Sequence, residues 1–407
     1  MTSKVNTKEE LECFMTHHWN EINLYIDEKM KELPHPIHSS VDIRESKTKF
    51  APVDHNMYPA GFNNLCNLDL DASIPIFEKA IKKLRPNAEE IAIIPESNTK
   101  NTFYLDHLAI LGKTIRDAGF NVHMVSFDNA LFAENENVID LVSFSGFDLR
   151  IEKAELKDGE IYSAKTKVDF AVLNNDQSNP LPVEWAQVKT PIHPTPFVGW
   201  FNRQKIKHFE YYRQVANEFC EKFLINPDLI QARFKKVEDV DFSKQQGFDQ
   251  MGKEVDELLD GLPEGNKVFI KASQGTYGMG ISVVGSGEEA VNMNRKARKK
   301  MDVGKNKIKF TSVLLQEGVD TILKYDDMPA EVAIYLVDGK SVGGFMRANS
   351  ERSASANLNA KGMVFKKFCI SEIREDQDHK AKESVYSVIA RLATLASCHE
   401  IEELQNK

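Results

Sequence analysis

Val268-Phe269-Ile270-Lys271-Ala272-Ser273-Gln274-Gly275-Thr276-Tyr277-Gly278-Met279-Gly280-Ile281 is the stretch whose reading decides the fold. An apolar run ends in a lysine, a loop with three glycines follows, and an apolar run resumes at Ile281-Ser282-Val283-Val284. The pattern predicts a β-hairpin with a glycine-rich tip and a cation at its base. Glycines let backbone N–H groups approach phosphate oxygens without steric cost, and the lysine directs a point charge at the same anion. A hairpin whose glycines only turn the chain is the competing reading. Neighbouring residues have to decide between them.

The loop lacks the G-K-[ST] ending of a P-loop and joins strand to strand, so the dinucleotide fingerprint fails as well. V-F-I-K is similar to the lysine strand of protein kinases, but no H-R-D or D-F-G segment follows. A chain of 407 residues holds two or three domain-sized units. Hydrophobic residues at 42% and charged residues at 28% are ordinary for a globular protein. With 52 basic and 61 acidic residues the net charge is −9, which argues against a general nucleic-acid or membrane-surface binder and leaves room for a local basic pocket. Residues 1–10 carry no apolar leader and no apolar run approaches membrane-spanning length, so a cytoplasmic location is expected. The five cysteines, Cys13, Cys66, Cys220, Cys369 and Cys398, are scattered without a C-x-x-C pair. Reduced, mostly buried thiols are expected, and a disulfide framework or cysteine-bound zinc is disfavoured. His17-His18 and His35-Pro36-Ile37-His38 lack the spacing of known metal sites.

The chain divides into segments 1–70, 71–200 and 201–407. A helix is expected from Lys8 to Leu33, ended near Pro34-His35-Pro36, and another from Ile74 to Leu84. Glu90–Pro95 reads as a buried strand, Tyr104, Leu108, Leu111 and Ile115 recur at helical spacing, and Val122–Phe127 is a second strand. Strand, helix, strand implies a parallel βαβ unit, and Val168–Leu173 adds a further strand to a small α/β domain. Beyond Pro196, helices are expected near Arg203–Phe223, Val255–Leu262 and Glu288–Met301. Strands follow at Thr311–Gln316, Glu331–Val337 and Ser341–Arg347, the last two joined by the turn signal Asp338-Gly339-Lys340. Val385, Val388, Ile389, Leu392, Ala393 and Ala396 mark an amphipathic C-terminal helix.

Glycine hairpin, helix, then a strand ending Leu314-Leu315-Gln316-Glu317 resembles the ATP-grasp superfamily, in which a nucleotide lies between two α+β subdomains. The resemblance implies that Lys271, Gly275, Gly278 and Gly280 contact the nucleotide and its phosphates, and that Gln316 and Glu317 lie at the adenine or ribose. A second nucleotide lysine would be Lys205 or Lys207, for which a solvated helix face is the rival reading. ATP-grasp enzymes end with acids that hold Mg²⁺ against the phosphates, whereas this chain ends in a helix. A near match stands at the other end, at Val41-Asp42-Ile43-Arg44 and Pro52-Val53-Asp54-His55-Asn56. Asp42, Asp54 and Asn56 are therefore the candidate metal ligands, in a circularly permuted ATP-grasp fold of α/β class. Residues i and i+2 of a strand share a face, so Asp54 and Asn56 can serve one cluster. Capping a turn before Pro59 is the alternative use of both.

V-D-I-R, A-P-V-D-x-N-x-x-P-A-G-F-N-N-L, P-E-S-N-T and the glycine hairpin together resemble the proteobacterial type of glutamate–cysteine ligase, from Ser40 through the C-terminal helix. The resemblance implies ligation of the L-glutamate γ-carboxylate to L-cysteine with ATP and Mg²⁺, through an acyl phosphate, in glutathione biosynthesis. No protein nucleophile is needed for such chemistry, because positioning and charge neutralisation carry it. Residues 347–362 are similar to the substrate loop of bacterial glutathione synthetases. Arg347, Arg352 and Asn357 are candidates there, Arg347 and Arg352 together with Lys271 in the chemical step, since an arginine fork suits carboxylates. An exposed loop with incidental arginines is the alternative. Arg44, Asn63, Asn64, Glu96 and Asn98 are further candidates for the amino-acid substrates, although Ser97-Asn98-Thr99 also reads as a helix cap. Another ATP-grasp carboxylate–amine ligase, such as a glutathione-synthetase-like enzyme, and a non-catalytic nucleotide-binding regulator are the competing functions.

Overall fold

In the computed structural model the described residues are 4–97, 99–178, 180–274, 280–302, 311–370 and 380–405. They form a mixed α/β structure with three sheets. The glycine hairpin is present as Val268–Ala272 antiparallel to Ile281–Val284, with Lys271 opposite Ile281. Its tip at 275–279, with Gly275 and Gly278, lies outside the described residues, as does Asn98. Strands Phe234–Glu238 and Ser312–Glu317 complete this four-stranded antiparallel sheet.

A second sheet is built on the expected βαβ unit. Glu90–Pro95, the helix Thr102–Asp117 and Asn121–Ser126 follow in order, and the two strands pair in parallel. Phe170–Asn174 joins Glu90–Pro95 in parallel on the other side. Strands at Val138–Val142, Asp148–Lys157 and Glu160–Ser163 extend the sheet beyond what periodicity predicted, because they are short or carry charge on both faces.

The central sheet has an order that no local pattern announces. Strands His38–Glu45 and Phe50–Asn56 from the front of the chain sit beside Met328–Val337, Lys340–Asn349 and Met363–Phe368 from the back. His38–Glu45 is antiparallel to Met328–Val337, with Asp42 opposite Ala333. The Asp338-Gly339 turn has positive φ at both central residues, 49° and 69°, as a two-residue hairpin of the strand's own twist demands.

Alternation divides this sheet into two faces. Val41, Ile43, Val332, Ile334 and Leu336 point into a core shared with the helices Lys8–His17, Trp19–Met30, Lys205–Phe223 and Lys380–Gln405. Each large aliphatic side chain so buried contributes about 1.5–3 kcal/mol. Ala333, Tyr335, Val337 and Phe345 point the other way, onto Phe62, Phe77 and the βαβ unit. At the far end of that same face the side chains become charged.

Three local expectations change. The single helix from Lys8 to Leu33 is two, broken at His18, though Leu11, Met15, Ile22 and Ile26 keep one buried face across the break. Thr7 and Glu10 form a capping box at its start. The helix expected at Glu288–Met301 is likewise split, into Gly287–Val291 and Arg295–Asp302. Cys66 and Cys369, expected reduced, form a disulfide across 303 residues of sequence. The pairing is set by tertiary contact, where Asp69 accepts from the Ile370 N–H at 3.1 Å, so cysteine spacing gave no sign of it. Cys220 and Cys398 are free and buried, and Cys13 is free and exposed.

Candidate active site

The charged end of the central sheet faces the glycine hairpin across a cleft. Asp42, Arg44, Asp54, Lys271, Gln316, Glu317, Glu331, Arg347 and Asn357 line it. The geometry follows from strand register. Asp42 lies directly opposite Asp54, and Ser40 opposite Asn56. Between Asp42 and Ile43 the register shifts, which leaves Val53 as an extra residue on its strand. Such a bulge re-aims backbone groups. The Val53 carbonyl accepts from Lys271 Nζ at 2.7 Å, across 218 residues of sequence.

Cations and carboxylates alternate through the cleft. Arg347 donates to Asp42 at 2.9 and 3.4 Å and to Glu331 at 2.9 Å. The other Glu331 oxygen takes Arg44 Nε at 2.8 Å. Arg44 also reaches the carbonyls of Val319, Ala354 and Ala356, so it fastens the loop after Asn349 to the sheet. Lys205 donates to Asp54 Oδ1 at 2.7 Å, while Asp54 Oδ2 has no hydrogen bond among the described residues. Lys271 also donates to Gln316 Oε1 at 2.7 Å. Glu317 is held by Lys49 at 3.0 Å and by the Arg233 N–H at 2.9 Å.

Burial and charge shift these groups in different directions. Burial lowers the Lys271 ammonium to about 8 against the opposing pull of Asp54. Burial raises the Asp42 carboxyl, and the Glu331 and Asp54 charges add to it despite Arg347, so it stays above the usual aspartate value. For Asp54, burial is outweighed by Lys205 and Lys271, and its carboxyl falls below the usual value. Glu331 behaves likewise, because Arg44 and Arg347 overcome its burial. Neighbouring acids with oppositely displaced proton affinities are typical of functional sites.

Asp42 and Asp54 offer hard oxygens across one strand pair, with one Asp54 oxygen uncommitted. That suits Mg²⁺, which takes one or two carboxylates and completes its shell with phosphate and water. Among the described residues, three His, Cys or acidic side chains with ligand atoms within 4.8 Å of one another occur elsewhere, at Cys66, Asp69 and Cys369. There the two sulfurs are bonded to each other.

Other candidates stand apart from the cleft lining. Lys207 is exposed and pairs with Glu210 at 3.2 Å on its own helix. Arg352 is exposed. Asn56 is half-buried at the end of its strand. Gly280, at φ +65°, closes the hairpin by accepting from the Ala272 N–H at 2.8 Å. Asn63 and Asn64 occupy a single helical turn at Phe62–Asn64, where Asn63 Oδ1 is buried without a partner among the described residues. Glu96 follows the carboxyl end of the strand Glu90–Pro95 and accepts from the Asp176 N–H at 2.6 Å. The carboxyl edge of a parallel sheet is where open α/β folds bind ligands.

Sequence reading missed Glu331, Lys49 and Arg203. Arg203 bonds Glu400 of the C-terminal helix and the His55 carbonyl at 2.9 Å, and His55 stacks on His208. It thereby braces the strand that carries Asp54. A buried-type glutamate opening an apolar strand was the available signal for Glu331.

The model of the GshA glutamate–cysteine ligase family matches residues 12–401. The chain belongs to the glutamate–cysteine ligase family. A crystal structure of a Methylobacillus flagellatus KT protein, provisionally named a gamma-glutamylcysteine synthetase, is similar with TM-score 0.87 and 32% identity over 97% of this chain and 96% of that one. D-alanyl-alanine synthetase A of Vibrio cholerae O1 biovar eltor str. N16961 gives TM-score 0.36 and 12% identity over 74% of this chain and 81% of that one. A glutathione synthetase-like effector of Globodera pallida gives TM-score 0.44 and 9% identity over 88% and 83%. At those values neither bears on the fold. No curated protein matches. As a glutamate–cysteine ligase, the chain is an ATP-dependent ligase that makes γ-glutamylcysteine for glutathione, with glutamate, cysteine and ATP as its substrates. No helix among the described residues is long and apolar enough to cross a membrane.

Proposed function

We propose that ligation takes place in the cleft between the glycine hairpin and the charged face of the central sheet, on an ATP-grasp fold in circularly permuted order. The supporting observation is the contact of Lys271 Nζ with the Val53 carbonyl, beside Asp42 and Asp54. It joins a phosphate-type hairpin to an acid pair from the opposite end of the chain. Segments 1–70 and 201–407 then form one catalytic unit, since both supply strands to the central sheet, and 71–200 forms the second. A cytoplasmic location goes with this reading.

Lys271, Lys205 and the glycine loop hold the ATP phosphates, and Gln316 and Glu317 hold the adenosine. Asp42 and Asp54, with Asn56, hold Mg²⁺, which neutralises phosphate charge when bound. Arg347 is placed to bind the γ-carboxylate of glutamate and the acyl phosphate derived from it, with Asn357 on the adjacent loop. A γ-carboxylate oxygen attacks the γ-phosphorus and ADP leaves. The neutral cysteine amine then attacks the acyl carbon, phosphate leaves as the amide forms, and the proton lost by the nitrogen passes to the departing phosphate. Orientation and buried positive charge supply the acceleration, with no covalent enzyme intermediate. Glu96, with Asn63, Asn64 and Asn98, is assigned to the amino-acid ends, and Arg44 and Arg352 to the rim.

The test is ADP release with Mg²⁺-ATP and glutamate, with and without cysteine, and product identification by mass. Cysteine-dependent release with γ-glutamylcysteine as product is expected. Release only with γ-glutamylcysteine and glycine would assign a synthetase instead, and release that no amino acid stimulates would assign a nucleotide-binding regulator.

A further inference from the structure

We propose that Glu331 is a positioning residue that takes over Arg347 when a divalent cation occupies Asp42; this rests on the metal reading above. Asp42 holds Arg347 through both carboxylate oxygens, at 2.9 and 3.4 Å. A carboxylate so engaged ligates a dication poorly, because guanidinium and cation compete for the same oxygens and repel each other at like charge. Cation binding at Asp42 therefore favours release of Arg347 from it. A buried guanidinium released without another anion is costly, and Glu331 is the anion provided.

Three features fit Glu331 to that task. It lies directly across the strand pair from Arg347 and already accepts from the same Nη1 at 2.9 Å. Its second oxygen is locked by Arg44 at 2.8 Å, and Arg44 is itself anchored to the carbonyls of Val319, Ala354 and Ala356. Glu331 is thus a fixed post and Arg347 the movable arm. The arm has spare capacity, since Arg347 Nε is buried without a partner among the described residues while the residue as a whole is 8% exposed. Once off Asp42, Arg347 pivots about Glu331 with nitrogens free for the anion that the cation brings in. Cation loading and arginine presentation become one event.

The experiment is titration of Mn²⁺ by electron paramagnetic resonance into the full chain saturated with a non-hydrolysable ATP analogue. Calorimetry of the same analogue in EDTA runs alongside. In Glu331→Gln the guanidinium stays on Asp42, so Mn²⁺ affinity falls by about tenfold, the loss of one charge-assisted hydrogen bond, while cation-free nucleotide affinity is unchanged. Glu331→Asp, which keeps the charge one methylene further away, falls between wild type and Gln. If either variant binds Mn²⁺ as tightly as wild type, or if Mn²⁺ and cation-free nucleotide affinities fall together, the proposal is overturned. Asp42→Asn separates the two levels. Weakened Mn²⁺ binding in Asp42→Asn with normal binding in the Glu331 variants defeats the exchange alone. Normal Mn²⁺ binding in Asp42→Asn defeats the metal reading and the exchange with it.

Discussion

Val41, Ile43, Val332 and Ile334 occupy one face of the central sheet, and Asp42, Arg44, Glu331 and Arg347 the other, one residue away along the same strands. The first set is buried against helices and needs only shape and volume. The second is also buried, yet every member is ionisable. Burying charge costs stability that burying aliphatic groups would supply. The charged face is therefore evidence of function, and the apolar face accounts for the fold that presents it.

The comparison predicts opposite outcomes for substitutions on the two faces. Arg347→Met leaves Asp42 and Glu331 buried without their shared cation. It is expected to cost about 3–5 kcal/mol in urea unfolding and to remove ligation by at least about 10²-fold. Stability and turnover both near wild type would erase the distinction between the faces. Ile334→Ala, on the helix side, is expected to cost about 2–5 kcal/mol in the same unfolding assay. Its KM for ATP should match wild type in molecules that remain folded; a raised KM would show that the apolar face shapes the cleft.

A pH series sharpens the charged side. Lys271 titrates at about 8 in the folded protein, below its ordinary unfolded value near 10.4. Between these values the unfolded chain binds more protons, so this group makes stability rise with pH from about 8 upward. On the proposed role of Lys271, phosphate binding has the opposite sign, since it needs the protonated amine. kcat/KM for ATP should therefore fall as pH rises through about 8, with the break in kcat displaced upward once nucleotide is bound. Lys271→Met should lose both slopes, and a retained break would assign the titration to another group. The smallest effect is expected at Lys207→Ala. It removes an exposed pair worth at most about 0.5 kcal/mol and should leave turnover unchanged.

The legible parts of the fold were those set by local period and turn chemistry. The glycine hairpin, the βαβ unit and the Asp338-Gly339 turn are all governed by residues close in sequence. Asp42, Asp54, Lys271, Gln316 and Arg347 were each readable as candidates, and the cleft gathers them. Glu331 shows why the rest was not. Counting back from the two-residue turn pairs Arg347 with Ala330, but a register shift between Tyr335 and Leu336 places Glu331 there instead. A one-residue slip exchanges the faces of a strand, and nothing in the sequence marks the bulge. Lys49 and Arg203 are set by tertiary contacts with Glu317 and Glu400, as is the Cys66–Cys369 pairing. Lys207 shows the converse, since a lysine in a favourable stretch of sequence fell on the solvent side of its helix.

The most direct test is cysteine-dependent ADP release by Asp54→Asn, with its thermal midpoint measured on the same preparation. Asp54 keeps its size and loses only its charge, on an edge where Lys205 is its partner. Loss of Mg²⁺-dependent release with a thermal midpoint near that of the wild type is predicted. Wild-type release would contradict the assignment of the charged face as the ligation site.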